Sequence, residues 1–181
     1  MKLAVLRIGL VDVDIIQNMQ KRLCTMFPDT TCIIVSHVMH VPEEAYNQRR
    51  HQYNSTKILM RIRDHVQGLD VDRVLGVVEA DLYASRLNFV FGEAECPGKV
   101  AVISLFRLRP EFYGHFTDEK LFVERCVKEA VHEVGHTLGL SHCRDSSCVM
   151  FFSNSISDTD HKASSFCDRC FGLISMRLKR F

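Results

Sequence analysis

The chain has 181 residues, 46% of them hydrophobic and 25% charged, with 23 Lys+Arg against 22 Asp+Glu and a net charge of +1. That length and balance predict one compact domain with an ordinary core, and give no reason to expect nucleic acid or an anionic membrane as the main partner. No run approaches the roughly 18 apolar residues of a membrane span. The first apolar stretch, LAVLRIGLV, already contains Arg7 and leaves no room for a secretory leader, so a cytoplasmic monomer is expected. In that setting the eight cysteines favour metal thiolates or buried thiols over disulfides.

In chain order, Lys2 to Leu10 reads as a buried strand. Asp14 to Phe27 reads as a helix, with Ile16, Met19, Leu23, Met26 and Phe27 at helical spacing and Pro28 after its end. The β-branched run Thr31 to Val38 predicts a second strand. Pro42 to Tyr53 is polar and reads as loop or short helix. Ser55 to Gln67 predicts a helix with Ile58, Ile62 and Val66 on one face. Val71 to Ala80 is a third strand, Leu87 to Glu93 a more exposed fourth, and Val100 to Leu108 a fifth. Thr117–Asp118–Glu119 supplies the capping and acidic residues of a helix start. The helix that follows carries Val123, Val127, Ala130, Val131, Val134 and Leu138 as its core stripe and ends at Gly139. A last helix is expected over Asp160 to Leu178, with Phe171, Ile174 and Leu178 on one side.

The chemistry concentrates in HEVGHTLGLSH, His132 to His142. His132 and His136 are four apart and share one face of a helix, so both imidazoles can reach one cation at about 2.0–2.1 Å. Gly139 permits the turn that brings His142 back as a third ligand. Three neutral imidazoles leave a fourth position free, the mark of a catalytic zinc ion. Glu133 flanks that face, where a carboxylate can serve as general base towards water. Downstream, Cys143 and Cys148 enclose four residues and Cys167 and Cys170 enclose two. Two such pairs can place four thiolates tetrahedrally around a structural zinc, and a short C-terminal lobe with little core gains from that staple.

The full string, HExxHxxGxxHC followed by CxM and CxxC between His132 and Cys170, resembles the archaemetzincin family of metzincin zinc metallopeptidases. A weaker likeness runs through Leu82–Ala94 and Val100–Arg109. The resemblance implies an α/β (α+β) zincin fold: a twisted mixed five-stranded sheet with helices, an active-site helix and a small zinc-stapled C-terminal subdomain. It implies an upper part over 1–139 and a lower part over 140–181, within one metallopeptidase domain. It also implies two zinc ions per chain, with Glu133 catalytic, Met150 as an apolar base beneath the histidines, and a peptide or protein substrate. The enzyme would be a metalloendopeptidase or an aminopeptidase-like hydrolase. Substrate would lie along an exposed edge at Asn88, Phe89, Val90, Phe91 and Gly92, with Phe151 and Phe152 offering an apolar pocket beyond the scissile bond. The alternative function is a zinc-bearing peptide-binding module with little turnover, against which the intact Glu133 argues. A cysteine-based nucleic-acid finger is disfavoured by the neutral charge. Cys24, Cys32, Cys96 and Cys126 lack metal-like spacing and are expected as buried thiols, and Glu79 and Asp81 as structural hydrogen-bonding groups.

Overall fold

The computed structural model describes residues 1–179. Five strands form the main sheet: β1 (Lys2–Ile8), β2 (Thr31–Ile34), β5 (Arg73–Val78), β7 (Gly92–Ala94) and β8 (Val100–Ser104), in the order β2-β1-β5-β8-β7. The first four positions in that order are mutually parallel, and β7 closes the edge antiparallel to β8, with Gly92 opposite Ile103 and Ala94 opposite Ala101. Helices α1 (Val13–Met26) and α2 (Ser55–His65) connect parallel strands, as parallel pairing requires. Asp12 caps α1 by accepting from Asp14 N at 2.8 Å, and Asn54 caps α2 by accepting from Lys57 N at 3.0 Å.

The inner parallel strands β1, β5 and β8 are covered on both faces, which is why they read as nearly unbroken apolar runs. Leu3, Val5, Leu75, Val77, Ala101 and Ile103 face one core with Ile16, Met19 and Leu23 of α1. Ala4, Leu6, Ile8, Val74, Val100 and Val102 face the other with Ile58 and Ile62 of α2. Helix α3 (Glu119–Thr137), capped by Asp118 at 2.9 Å from Leu121 N, lies in the first core through Val127, Val131 and Val134.

Several boundaries differ from the sequence reading. The strand expected over Val100 to Leu108 stops at Ser104 and passes into a 3-10 turn at Phe106–Leu108. There the Ser104 hydroxyl donates to Ala80 O at 2.7 Å and accepts from Phe106 N at 3.2 Å, turning the chain. The strand expected over Leu87 to Glu93 is β7, three residues long and displaced towards the C-terminus. A small second sheet, β3 (Tyr46–Asn47), β4 (Gln52–Asn54) and β6 (Leu82–Tyr83), draws β3 and most of β4 from the stretch Pro42 to Tyr53 read as loop or short helix, and its strands are too short to show periodicity. The single last helix is two: α4 (Ile156–His161), with a Ser155 capping box, and α5 (Asp168–Leu178). Phe171 is 46% exposed, and the buried face of α5 is Cys170, Ile174 and Leu178. Among the described residues no helix is long and apolar enough to cross a membrane.

Candidate metal centre and cleft

Helix α3 ends by design of its sequence. Gly139 adopts φ +85°, its N–H donates to His136 O at 2.7 Å, and Leu140 N donates to Gly135 O at 3.1 Å. This paired closure uses the left-handed residue for which glycine is suited. The chain reverses, and the potential ligand atoms of His132, His136 and His142 come within 4.8 Å of one another.

The imidazole orientations are fixed from behind. His132 Nδ1 lies 2.7 Å from Val149 O and His136 Nδ1 lies 2.7 Å from Leu140 O. A carbonyl only accepts, so each Nδ1 carries the proton and each Nε2 presents a lone pair. The two Nε2 atoms face each other at 3.1 Å, a repulsive arrangement unless a cation sits between them. Nitrogen ligands at 2.0–2.1 Å in a tetrahedron would be separated by about 3.3–3.4 Å, so the donor set fits zinc. Burial holds all three histidines below the ordinary imidazole range, and at His132 the Lys162 ammonium adds to it. They are kept neutral, the form in which imidazole ligates metal.

Glu133 is 5% exposed and lines the cleft beside the histidines. Burial, followed by the nearby Glu129 carboxylate, pushes its pKa well above the usual carboxylate range. Below it lies a charged pair. Lys162 Nζ, on a side chain with no exposure, is 3.0 Å from Glu129 Oε1, and Thr159 donates to the same oxygen at 3.2 Å. A cation and an anion buried together avoid the penalty of either alone.

Met150 is fully buried. Its sulfur leaves no room for a side chain at position 135, since a Cβ there would sit 2.6 Å from Sδ. The glycine inside the zinc motif thus lets the methionine turn approach the helix between the two histidines.

A cavity of about 600 Å³ lies between α3 and the loop before β7. Asn88, Phe89, Val90, Phe91 and Gly92 all line it, as do Phe152, Ser153 and Asn154 from the opposite wall. Of the expected edge strand, residues 88–91 form a loop, and only Gly92 belongs to β7. Phe151 does not line the cavity. It holds the backbone bridge to Cys143, while the Phe152 ring sits 4.8 Å from that of His142. The pocket wall is accordingly one phenylalanine, followed by polar residues.

The four C-terminal cysteines converge within 4.8 Å. Cys143 Sγ and Cys167 Sγ are 3.8 Å apart, far beyond a disulfide bond. Four thiolates at about 2.3 Å from zinc would be about 3.8 Å from each other, so this donor set also fits zinc. A backbone hydrogen bond from Cys170 leads the causes that lower the Cys167 pKa, whereas burial raises Cys148 and Cys170. Cys143 N donates to Met150 O at 2.8 Å, which ties the residue after His142 to the methionine turn.

The sequence model of Peptidase family M54 matches residues 6–176. The chain belongs to peptidase family M54. Among M54 relatives, the archaemetzincin of Methanocaldococcus jannaschii is 46% identical over 170 residues, covering 94% of this chain and 90% of that protein. The crystal structure of archaemetzincin from Methanopyrus kandleri superposes with a TM-score of 0.84 at 38% identity, over 99% of this chain and 96% of that one. A zinc-dependent peptidase from Methanocorpusculum labreanum gives 0.85 at 27% identity, over 95% and 99%. The resemblance read from His132 to Cys170 therefore extends over the M54 chain as a whole, and the mixed five-stranded sheet with its C-terminal cysteine cluster is the M54 fold.

Some site residues of this M54 chain carried no local sequence signal. Arg50 donates to Leu87 O at 3.0 Å and Asn88 O at 2.8 Å, and Gln52 to Asn88 O at 3.0 Å, fixing the cleft rim from the small sheet. Arg107 grips Asp81 through two bonds of 2.6 and 2.7 Å and lies 4.4 Å from the Phe89 ring. Asp81 is thus structural as expected, and so is Glu79, which Arg109 binds at 2.6 and 3.0 Å. Cys96, expected as a buried thiol, is exposed and lines the cleft because it follows the edge strand. Glu129 could have been noticed one helical turn before Glu133, but its partner Lys162 lies too far along the chain.

Gly92 faces Glu133 so closely that an added Cβ would lie 2.6 Å from Glu133 Cγ and 2.7 Å from its Oε1. Gly92→Ala is expected to displace the carboxylate and lower hydrolysis on the order of 10-fold, with the fold and metal content retained. Steady-state kinetics with metal analysis checks this; wild-type kcat/KM in the variant would mean the edge gives way instead.

Proposed function

We propose that the protein is a zinc-dependent metallopeptidase that hydrolyses peptide bonds with Glu133 as general base. One observation carries the reading: two Nε2 lone pairs are held 3.1 Å apart by backbone carbonyls on the opposite nitrogens. His132, His136 and His142 would hold a catalytic zinc, and Cys143, Cys148, Cys167 and Cys170 a structural one. Membership of family M54 supports the same reaction class.

Zinc bound at the histidines supplies a Lewis acid that acidifies water and polarises a carbonyl. The chain's own residues do the rest. Glu133, buried in the cleft wall, accepts a proton from the attacking water and passes it to the departing amine. Strand β7 ends the sheet, and its free edge can orient an extended peptide through main-chain hydrogen bonds. Met150 packs beneath the helix and does not ligate. The upper part, 1–139, supplies sheet and helix, and the lower part, 140–181, supplies the third histidine and the far wall.

The test combines metal analysis with digestion of a peptide library, before and after chelation. Two zinc ions per chain are expected, with cleavage lost on removal of the histidine-bound ion and restored by adding zinc back. The cleaved positions separate internal cleavage from removal of amino-terminal residues. Two zinc ions without cleavage of any peptide would sink the peptidase reading in favour of a zinc-bearing binding module.

A further inference from the structure

Beside the cleft lies a second cavity of about 520 Å³, bounded by the chain leaving α3 and by α5. It is lined by Arg144, Arg169 and Arg177, and no Asp or Glu lines it. Arg169 and Arg177 are eight apart on α5, two helical turns, and so share a face. Arg144 and Arg169 are exposed, and among the described residues their side chains make no ion pair or hydrogen bond. The neighbouring Asp145 accepts at Oδ1 from Ser147, through its N–H at 2.9 Å and its hydroxyl at 2.7 Å. Arg177 is held by donating from Nη1 to Leu138 O at 2.7 Å, and keeps further N–H groups to offer.

This groove lies against the histidine site. Ser141 and His142 line both cavities, so the third histidine is their common wall. An extended chain advances about 3.3–3.6 Å per residue, so a peptide leaving the histidines crosses the groove within a few residues. The direction follows from β7. The strand runs from Gly92, beside Glu133, towards Cys96, whose Sγ lies 3.4 Å from Leu140 O at the groove. A peptide added in the commoner antiparallel sense runs the other way and reaches the groove with residues that precede the scissile bond.

We propose that the Arg144–Arg169–Arg177 groove binds acidic side chains on the amino-terminal side of the cleaved bond, making the protein selective for acidic peptides. The proposal rests on the peptidase reading for its orientation. The planar guanidinium fork matches a carboxylate through paired, charge-assisted hydrogen bonds. Cys143 and Cys170 also line the groove, which defines the rival role of neutralising the zinc-bound thiolates.

The test uses the intact zinc-loaded protein and two peptides that differ only in Asp/Glu against Asn/Gln at the upstream positions. Wild type is expected to cleave the acidic peptide with kcat/KM higher on the order of 10-fold, mainly through KM, with the advantage shrinking at high salt. Arg144→Ala/Arg169→Ala should level the two peptides. Equal wild-type rates, or a preference that survives in the double variant, would overturn the proposal. So would tighter competition by a single-stranded oligonucleotide than by the acidic peptide. Loss of zinc and thermal stability in the double variant, with no charge preference in wild type, would assign the arginines to the thiolates alone. Binding of both peptides to Glu133→Gln, read by fluorescence anisotropy, separates the two claims. Charge-selective binding without turnover by wild type would keep the groove and refute the peptidase, whereas turnover without charge selectivity would do the reverse.

Discussion

Glu133→Gln is expected to reduce peptide hydrolysis by about 10²–10⁴-fold, the range for loss of a general base, while zinc content and melting temperature stay at wild-type values. The substitution keeps the shape of the side chain, so its packing against Gly92 survives. It removes a carboxylate beside the histidines that can take a proton from water and return it. Stability should not fall, because the amide fills the same buried space and brings no charge to desolvate. Undiminished cleavage would assign the proton transfer elsewhere. A loss of zinc in parallel with activity would make Glu133 a structural support.

Cys170→Ala is expected to empty the tetrathiolate site and loosen the whole segment after Gly139. That segment holds only the six-residue α4 and the eleven-residue α5, and α5 buries just Cys170, Ile174 and Leu178. So small a core needs a staple. Structural zinc in comparable small modules is worth about 10–16 kcal/mol in apparent binding, against a total stability of about 5–15 kcal/mol for a typical domain. Even a loss of about 3 kcal/mol lowers the melting temperature of a domain this size by about 6–12 °C. The damage should also reach the histidine site. Cys143 follows His142 directly and donates its N–H to Met150 O at 2.8 Å, and Val149, whose carbonyl orients His132, donates its N–H to Ser165 O at 3.0 Å within the same lobe. Zinc content should therefore fall by more than one ion per chain. Unchanged stoichiometry and melting behaviour would show that the lobe stands without its metal.

The contrast between these sites and the rest of the molecule explains what could be read in advance. The histidine and cysteine groups were legible because helix and turn geometry act over a few residues. A spacing of four puts two imidazoles on one face, and Gly139 is the residue that a left-handed reversal favours. The long buried strands were legible because both faces are covered, so nearly every residue is apolar. Strands of two or three residues, such as β3, β4 and β6, leave no period to detect. The break between α4 and α5 was hidden because the α4 end is set by Lys162 turning into the interior to meet Glu129, a partner thirty-three positions earlier.

The sequence by itself determined the family: the three histidines, Glu133, Met150 and the two cysteine pairs all lie between His132 and Cys170, the histidine and cysteine sets legible from local spacing and the methionine from the resemblance. Tertiary structure alone decided what surrounds them. It brought Arg50 and Arg107 to the cleft rim, Gly92 against Glu133, Lys162 beneath the helix, and three separated arginines into one groove. Those arrangements join residues that are far apart in the chain. Burial and long-range pairing act through space, and no short-range pattern records them.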